Sequence, residues 1–321
     1  MFTLVLRILV SALLVLSLNA RSENQASSLL SVSAPSVQAL LTKMSRDAAR
    51  INYSGSFTYQ NQTRAALQSF KVEHWVENGQ EHDRLLFLNG PEREILREGR
   101  PIDCNSMGNK LLQGSFANFG KSLINLNNLY QFEIRGQERI AGRLARVLLV
   151  IPKDVYRYGY FLSIDEETGL VLKSWLIDEN ARPLERYQFV SIDFNSDANK
   201  GLRSVSPHHH KVIANATPCN PMSFSKPELW QVAWVPSGFE FAGQRTLGNG
   251  QEMLMYTDGL TTFSIFIESA AGVVPEGVGQ SGATLAYMSS LVHKKTLYRV
   301  NVVGEIPVAA ATKIAQNITL P

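Results

Sequence analysis

Hydrophobic positions along this chain follow two periods, and the switch between them divides it into elements. In "SVQALLTKMSRDAARI" the residues Val37, Leu40, Leu41, Met44 and Ala48 recur at helical spacing, with Ser36 placed as the N-cap. That stripe predicts a helix lying on a sheet. From Tyr53 the period drops to two. "YSGSFTYQ", "LQSFKVEHWVE", "HDRLLFLN" and "REILRE" predict short strands, with Asn78-Gly79 and Asn89-Gly90-Pro91 as turn signals. The stretch from Leu111 to Leu129, carrying Phe116, Phe119, Leu123, Ile124 and Leu126, is less regular and is expected to form a helical lid or a crossover.

Strands resume in "YQFEIRGQERIAGRLARVLLVIP", where Ala145 to Ile151 is apolar enough to be central. In "YRYGYFLSIDEETGLVLKSWLID" the residues Tyr158, Tyr160 and Leu162 alternate with Gly159, Phe161 and Ser163, and Gly169 supplies the positive φ of a tight turn. "RPLERYQFVSIDF" pairs next, which makes a three-stranded meander. Residues 195–227 are polar and proline-rich and are expected to link a first domain, 36–194, to a second, 228–321. In the second, "WQVAWVPSGFEFAGQR", "QEMLMYTDGLTTFSIFIES" and "KTLYRVNVVGEIP" predict strands around an Asp258-Gly259 turn, and "AAATKIAQNI" a C-terminal helix. The fold class is α+β.

The first residues break this pattern. "MFTLVLRILVSALLVLSLNA" has Arg7, an apolar run from Ile8 to Leu18 and a small residue at Ala20, the form of a secretory signal peptide over 1–20, followed by a serine-rich spacer to Pro35. The run is short for a membrane span, and no later segment approaches the ~18 apolar residues that one needs. Export is therefore expected. Cys104 and Cys219 could then form a disulfide, with two separate buried thiols as the alternative.

Charge and motifs exclude more than they assign. With 31 basic and 28 acidic residues, the net charge of +3 is too balanced for electrostatic binding of nucleic acid. His208, His209 and His210 lie in a linker without a carboxylate cluster, so no metal is expected. Asp165, Glu166 and Glu167 sit at a hairpin tip, where they are expected to be solvated rather than to act as an acid–base pair. "GQSG" at 279–282 lacks the spacing of a nucleophile elbow, which leaves Ser281 in a loop. No cofactor or enzymatic activity is expected.

What remains is aromatic surface on antiparallel strands. Large apolar residues occupy both alternation classes, as with Leu85 and Phe87 against Leu86 and Leu88, so one sheet face could pack on helices while the other lines a cavity. Phe57, Tyr59, Phe70, Trp75, Phe87, Phe116, Phe119, Trp175 and Phe189 are the candidate cavity residues. Burying an acyl chain of about a dozen carbons would yield roughly 10 kcal/mol gross at ~0.8 kcal/mol per methylene.

Four segments in order, "RIAGRLARVL", "RYGYFLSIDEETGLVLKS", "MYTDGLTTFSIFIE" and "VNVVGEIP", resemble the RseB/MucB family of periplasmic regulators of the sigma-E envelope-stress response. The resemblance implies a LolA/LolB-like N-terminal domain, a curved antiparallel half-barrel with helices on its concave side, and a smaller β-rich C-terminal domain that binds the partner. It implies a chain that binds the periplasmic region of a single-span anti-sigma factor of the RseA/MucA kind, shields it from the site-one protease, and lets go when lipid or lipopolysaccharide accumulates. Partner or interdomain contacts are then expected around Tyr156, Arg157, Tyr158, Tyr160, Tyr256, Asp258, Phe263 and Phe266. A periplasmic lipid or lipoprotein carrier of the LolA/LolB type is the alternative, and homodimerisation is left open.

Overall fold

A computed structural model of the protein describes residues 36–46, 50–63, 66–78, 80–98, 123–194, 210–213, 229–248 and 250–320. The expected leader, Cys104, Cys219, Phe116 and Phe119 lie outside them. Helix α1 (Val37–Arg46) is followed by strands β1 (Tyr53–Asn61), β2 (Gln68–Glu77), β3 (Gln80–Phe87) and β4 (Arg93–Glu98). Helix α2 (Leu123–Leu129) leads into β5 (Tyr130–Ile140), β6 (Arg143–Pro152), β7 (Gly159–Asp165), β8 (Val171–Ile177) and β9 (Pro183–Asp193). Beyond β10 (His210–Ile213) and β11 (Gln231–Val232) come β12 (Glu240–Thr246), β13 (Glu252–Thr257), β14 (Thr262–Ser269), β15 (Gly277–Ser281), β16 (Thr284–His293) and β17 (Thr296–Gly304). Helix α3 (Val308–Gln316) and β18 (Ile318–Thr319) finish the described chain.

The strands form an open ten-stranded sheet, ordered β10-β4-β3-β2-β1-β9-β8-β7-β6-β5, an open six-stranded sheet, ordered β12-β13-β14-β17-β16-β15, and the short pair β11-β18. Two runs of hairpins make the large sheet, and they join where β1 meets β9 in antiparallel register, Phe57 opposite Phe189. Bulges between Ser56 and Phe57, Ile134 and Gly136, and Ser163 and Ile164 break the ladder, and each bends its strand and increases local twist. Glu138 on β5 accepts from the Lys173 ammonium on β8 at 2.8 Å and so bridges two intervening strands.

Two apolar clusters fill the large sheet's half. The stripe of α1 (Leu40, Leu41, Met44) and Leu126 and Leu129 of α2 pack with Tyr130, Leu148, Val150, Tyr160, Leu162, Ile164 and Leu176. The second cluster gathers Tyr53, Phe57, Phe70, Val72, Leu85, Ile95, Leu172 and Phe189. In the small sheet, Leu254, Tyr256, Phe263, Ile265, Val300 and Val302 face Ala310, Ala311 and Ile314 of α3. The α+β class and the open antiparallel sheets agree with expectation. Among the described residues no helix is long and apolar enough to cross a membrane.

Three local expectations change. His210–Ile213, inside the span expected to be linker, pairs parallel with β4 at the edge of the large sheet. Ser281 closes strand β15 instead of sitting in a loop, and "TLAYMSSLVH", not expected as a strand, is β16. Asp165 is not solvated. Its carboxylate accepts from Arg143 Nε at 2.5 Å and from the Thr168 amide and hydroxyl at 2.8 Å each, and it is fully buried. Burial pushes that carboxyl upward, but Arg143 and the turn donors outweigh it and hold it below the usual range. Gly169, with φ +78°, completes the turn where a Cβ would fall 2.8 Å from the Lys43 carbonyl of α1.

Candidate functional site

Residues from both sheets meet along a seam with a charged centre. The loop between β6 and β7 carries Arg157, and the β13–β14 hairpin carries Asp258, which opens the turn as an Asx residue. Asp258 Oδ1 accepts from the backbone N–H groups of Leu260 at 2.9 Å and Thr261 at 2.8 Å, local chemistry that aspartate provides at such positions. Its other oxygen takes the Arg157 Nε at 2.7 Å and the Tyr130 hydroxyl at 3.0 Å. Arg157 also donates to Asp154 and to the Ser237 carbonyl, and its guanidinium lies 4.8 Å over the Phe239 ring. Both members of the Arg157–Asp258 pair are 0% exposed in their side chains.

Neighbouring phenols are tuned by the same enclosure. Burial first, then the Asp258 carboxylate, push the Tyr130 hydroxyl well above its ordinary value. Burial and then Glu305 do the same at Tyr160, while burial raises Tyr158 to about 12. These groups stay protonated at physiological pH and serve as donors or as core.

Two further contacts flank the pair. On one side the β15–β16 turn docks on the large sheet: the Ala283 amide donates to Glu185 Oε1 at 2.9 Å and the Gly282 amide to Thr63 Oγ1 at 3.0 Å. Gly282 has φ +61°, and a Cβ there would fall 2.5 Å from Glu185 Oε1, so glycine is required twice over. On the other side Tyr156 meets Trp234 edge-on at 4.9 Å, and Lys313 of α3 places its ammonium 4.2 Å over the Trp234 ring. Leu260 and Ala283, at the two hairpin tips, are buried in the same apolar cluster as Tyr130, Tyr160 and Leu184.

The seam's physical character follows from its contents. Buried charges removed from water are costly unless paired, so separating Arg157 from Asp258 without hydrating both is strongly unfavourable. The packed hairpin tips add a discrete fit rather than a sliding one.

The expected partner or interdomain residues distribute unevenly over this arrangement. Tyr156, Arg157 and Asp258 are in the seam, and Tyr158 and Tyr160 lie beneath it in the large-sheet core. Tyr256 and Phe263 stack at 5.2 Å inside the small sheet, and Phe266 projects, half-buried, from the alternate position of β14. Tyr130, Glu185, Trp234, Ser237, Phe239, Gly282 and Lys313 were not expected there. The turn dipeptides Ser237-Gly238 and Ser281-Gly282 mark the turns that carry Ser237, Phe239 and Gly282, and no local signal marks Tyr130, Glu185, Trp234 or Lys313.

Cavity candidates separate by sheet face. Phe57, Phe70 and Phe189 are fully buried and pack with Tyr59 and Phe87. Phe57 stacks on Phe70 at 5.0 Å, and Phe70 meets Phe87 at 4.8 Å. Trp75 projects from the opposite face of β2 to Phe70 and stacks on His82 at 4.9 Å. Trp175, opposite Arg186 on β9, lies across the sheet from Phe189. Among the described residues no cluster of His, Cys, Asp and Glu could hold a metal ion.

Comparison with known proteins places these halves in context. The MucB/RseB N-terminal domain profile matches residues 36–208, and the MucB/RseB C-terminal domain profile matches residues 224–319. The chain is 30% identical over 295 residues to the sigma factor AlgU regulatory protein MucB of Pseudomonas aeruginosa, covering 87% of this chain and 89% of the relative. It is 27% identical over 309 residues to the sigma-E factor regulatory protein RseB of Haemophilus influenzae, covering 91% and 94%. A crystal structure of MucB in complex with MucA(peri) matches with 28% identity and a TM-score of 0.71, covering 89% of this chain and 99% of that one.

Proposed function

The chain belongs to the MucB/RseB family, and from that premise we propose that it is a periplasmic regulator of sigma-E-type signalling. It binds the periplasmic region of a single-span anti-sigma factor, shields it from the site-one protease, and releases it when lipid or lipopolysaccharide-type amphiphiles accumulate. The observation that carries this reading is the similarity along both halves of the chain to MucB, a protein solved with MucA(peri).

The seam supports a mechanism. We take the two sheets as two domains whose docked arrangement binds the partner. The partner segment orders itself on binding and pays the entropy of doing so. Lipid can release it only by favouring a conformation with lower partner affinity. The ring cluster of Phe57, Phe70, Phe87 and Phe189 supplies a source of that difference, because an acyl chain entering there must part rings now 5.0 Å and 4.8 Å apart. A lipid-bound state would then differ in packing beneath β1 and β9, and Glu185 connects β9 to the docked hairpin tip.

The test is a titration of the purified mature protein with the periplasmic segment of an anti-sigma factor, with and without lipid A-type amphiphiles. Tight binding that weakens as amphiphile is added is the expected outcome. Undiminished binding at saturating amphiphile would end the release step, and no binding at all would end the regulator reading.

A further inference from the structure

Among the cavity candidates only Tyr59 ends in a hydroxyl, and that hydroxyl reaches the seam. Alternation along β1 puts Phe57, Tyr59 and Asn61 on one face of the strand. The register with β9 sets Phe189, Tyr187 and Glu185 opposite them in the same order. The Tyr59 ring packs, half-buried, against the buried cluster that holds Phe57, Phe70 and Phe189. Phe57 carries the contact onward, with its ring 5.0 Å from Phe70 and 4.7 Å from Tyr187.

Beyond the ring the chemistry changes. The Tyr59 hydroxyl is hydrogen-bonded to the Glu185 carboxylate and to the Asn61 side chain, and burial first, then Glu185, keep it protonated and so a donor to that carboxylate. The same carboxylate accepts the Ala283 amide of the β15–β16 turn at 2.9 Å, and Gly282 sits so close that a Cβ there would fall 2.9 Å from Asn61 Cβ. Both residues that hold the hydroxyl therefore form the seat of this hairpin tip. The other docked tip is held differently. Its Leu260 amide goes to Asp258, whose partners are Arg157 and Tyr130, and Tyr130 belongs to the cluster under the helices rather than to the rings around Phe57.

We propose that Tyr59 is a positioning residue that ties the packing of the ring cluster to the docking of the β15–β16 hairpin. A phenol is rigid from ring to oxygen, so the ring cannot shift without carrying the hydroxyl with it. A hydrogen bond of ordinary length is lost after a displacement of about 1 Å. Glu185 then loses a donor that steadies its carboxylate, and the Ala283 amide loses a fixed acceptor. A bond to a charged group is worth about tenfold in such a local equilibrium. One flank of the seam thereby responds to whatever parts the rings. That an amphiphile is the agent rests on the regulator reading above, whereas the coupling itself does not.

The experiment is native-state amide hydrogen exchange on the full mature protein with no ligand added, read at Ala283 and Gly282 with Leu260 and Thr261 as the reference tip. Tyr59→Phe keeps the ring and removes only the hydroxyl. It is expected to speed exchange at Ala283 about tenfold and to leave Leu260 within about twofold of the wild-type rate. Phe70→Leu loosens the cluster at a ring that does not touch the tip. It is expected to speed Ala283 about threefold when Tyr59 is present and to add nothing in the Tyr59→Phe background, the non-additivity of a shared route. Unchanged exchange at Ala283 in Tyr59→Phe, or equal acceleration at both tips, would make Tyr59 ordinary core and overturn the proposal. Additive effects of the two substitutions would overturn it as well. Should Phe70→Leu fail to fold, the split between Ala283 and Leu260 in Tyr59→Phe decides. No lipid or partner is present, so failure of the regulator reading leaves each of these outcomes unchanged.

Discussion

Arg143–Asp165 and Arg157–Asp258 are the same device used at two ranges. In each, an aspartate opens a hairpin turn, accepts two or more turn donors, and takes an arginine Nε on its second oxygen. Arg143 reaches its partner within the hairpins of one sheet, and its side chain stays 24% exposed. Arg157 reaches across 101 residues to the other sheet and is entirely enclosed. The first secures a turn and leaves its arginine wet. The second makes the fit of two sheets depend on one buried charge pair.

The largest effect should come from breaking the enclosed pair. Arg157→Met leaves Asp258 charged and dry, so about 3–5 kcal/mol of stability should be lost, as read by denaturant unfolding. Adding Asp258→Asn, which keeps the Asx turn while removing the stranded charge, should restore a large part of that loss. If the double variant is no better than the single, the charge was not what made the seam costly to break.

Next in size is Gly282→Ala, where a positive φ and a 2.5 Å approach to Glu185 Oε1 coincide. About 1–3 kcal/mol is expected, with faster hydrogen exchange at Ala283 as the sign that the hairpin tip has lifted. Asp165→Asn should cost about 2 kcal/mol near neutral pH, by loss of charge-assisted bonds within the turn. Its pH dependence sharpens the comparison. Because the folded carboxyl titrates below its unfolded value of about 3.9, its stabilisation is complete above that value and lost as pH falls through the folded one. The gap between wild type and Asp165→Asn should therefore close on acidification below about pH 4. Smallest of all is Arg182→Ala. The Arg182–Asp178 pair has the same turn logic, but its arginine is 65% exposed, and the change should stay within about 1 kcal/mol.

Legibility in the sequence followed range in the same way. The Asp258-Gly259 turn, the Gly169 turn, the α1 stripe and the C-terminal helix were all readable, because each depends on residues within one turn or one stripe. Arg157 and Asp258 were both among the expected partner or interdomain contacts, but nothing near Arg157 in the sequence announces that it pairs with Asp258, Ser237 and Phe239. Among the cavity candidates, composition could not separate Phe189 from Trp175. Only the pairing of β8 with β9 assigns them to opposite faces. β16 was overlooked because Ser289 and Ser290 interrupt its alternation. Its pairing with β17 over Leu285 to His293 overrides that weak local preference.

By itself the sequence determined the number and kind of most elements, the turn residues, the apolar excess on β6 to β8 and the kinship of the chain, since these rest on local periodicity and short-range hydrogen bonding. The tertiary structure alone decided the joining of β1 to β9, the burial of Asp165, the pairing of Arg157 with Asp258 and the stacking of Arg186 on Trp175. Those depend on strand register and on bulges that change which face a side chain occupies, and they are set by contacts between residues far apart in the chain.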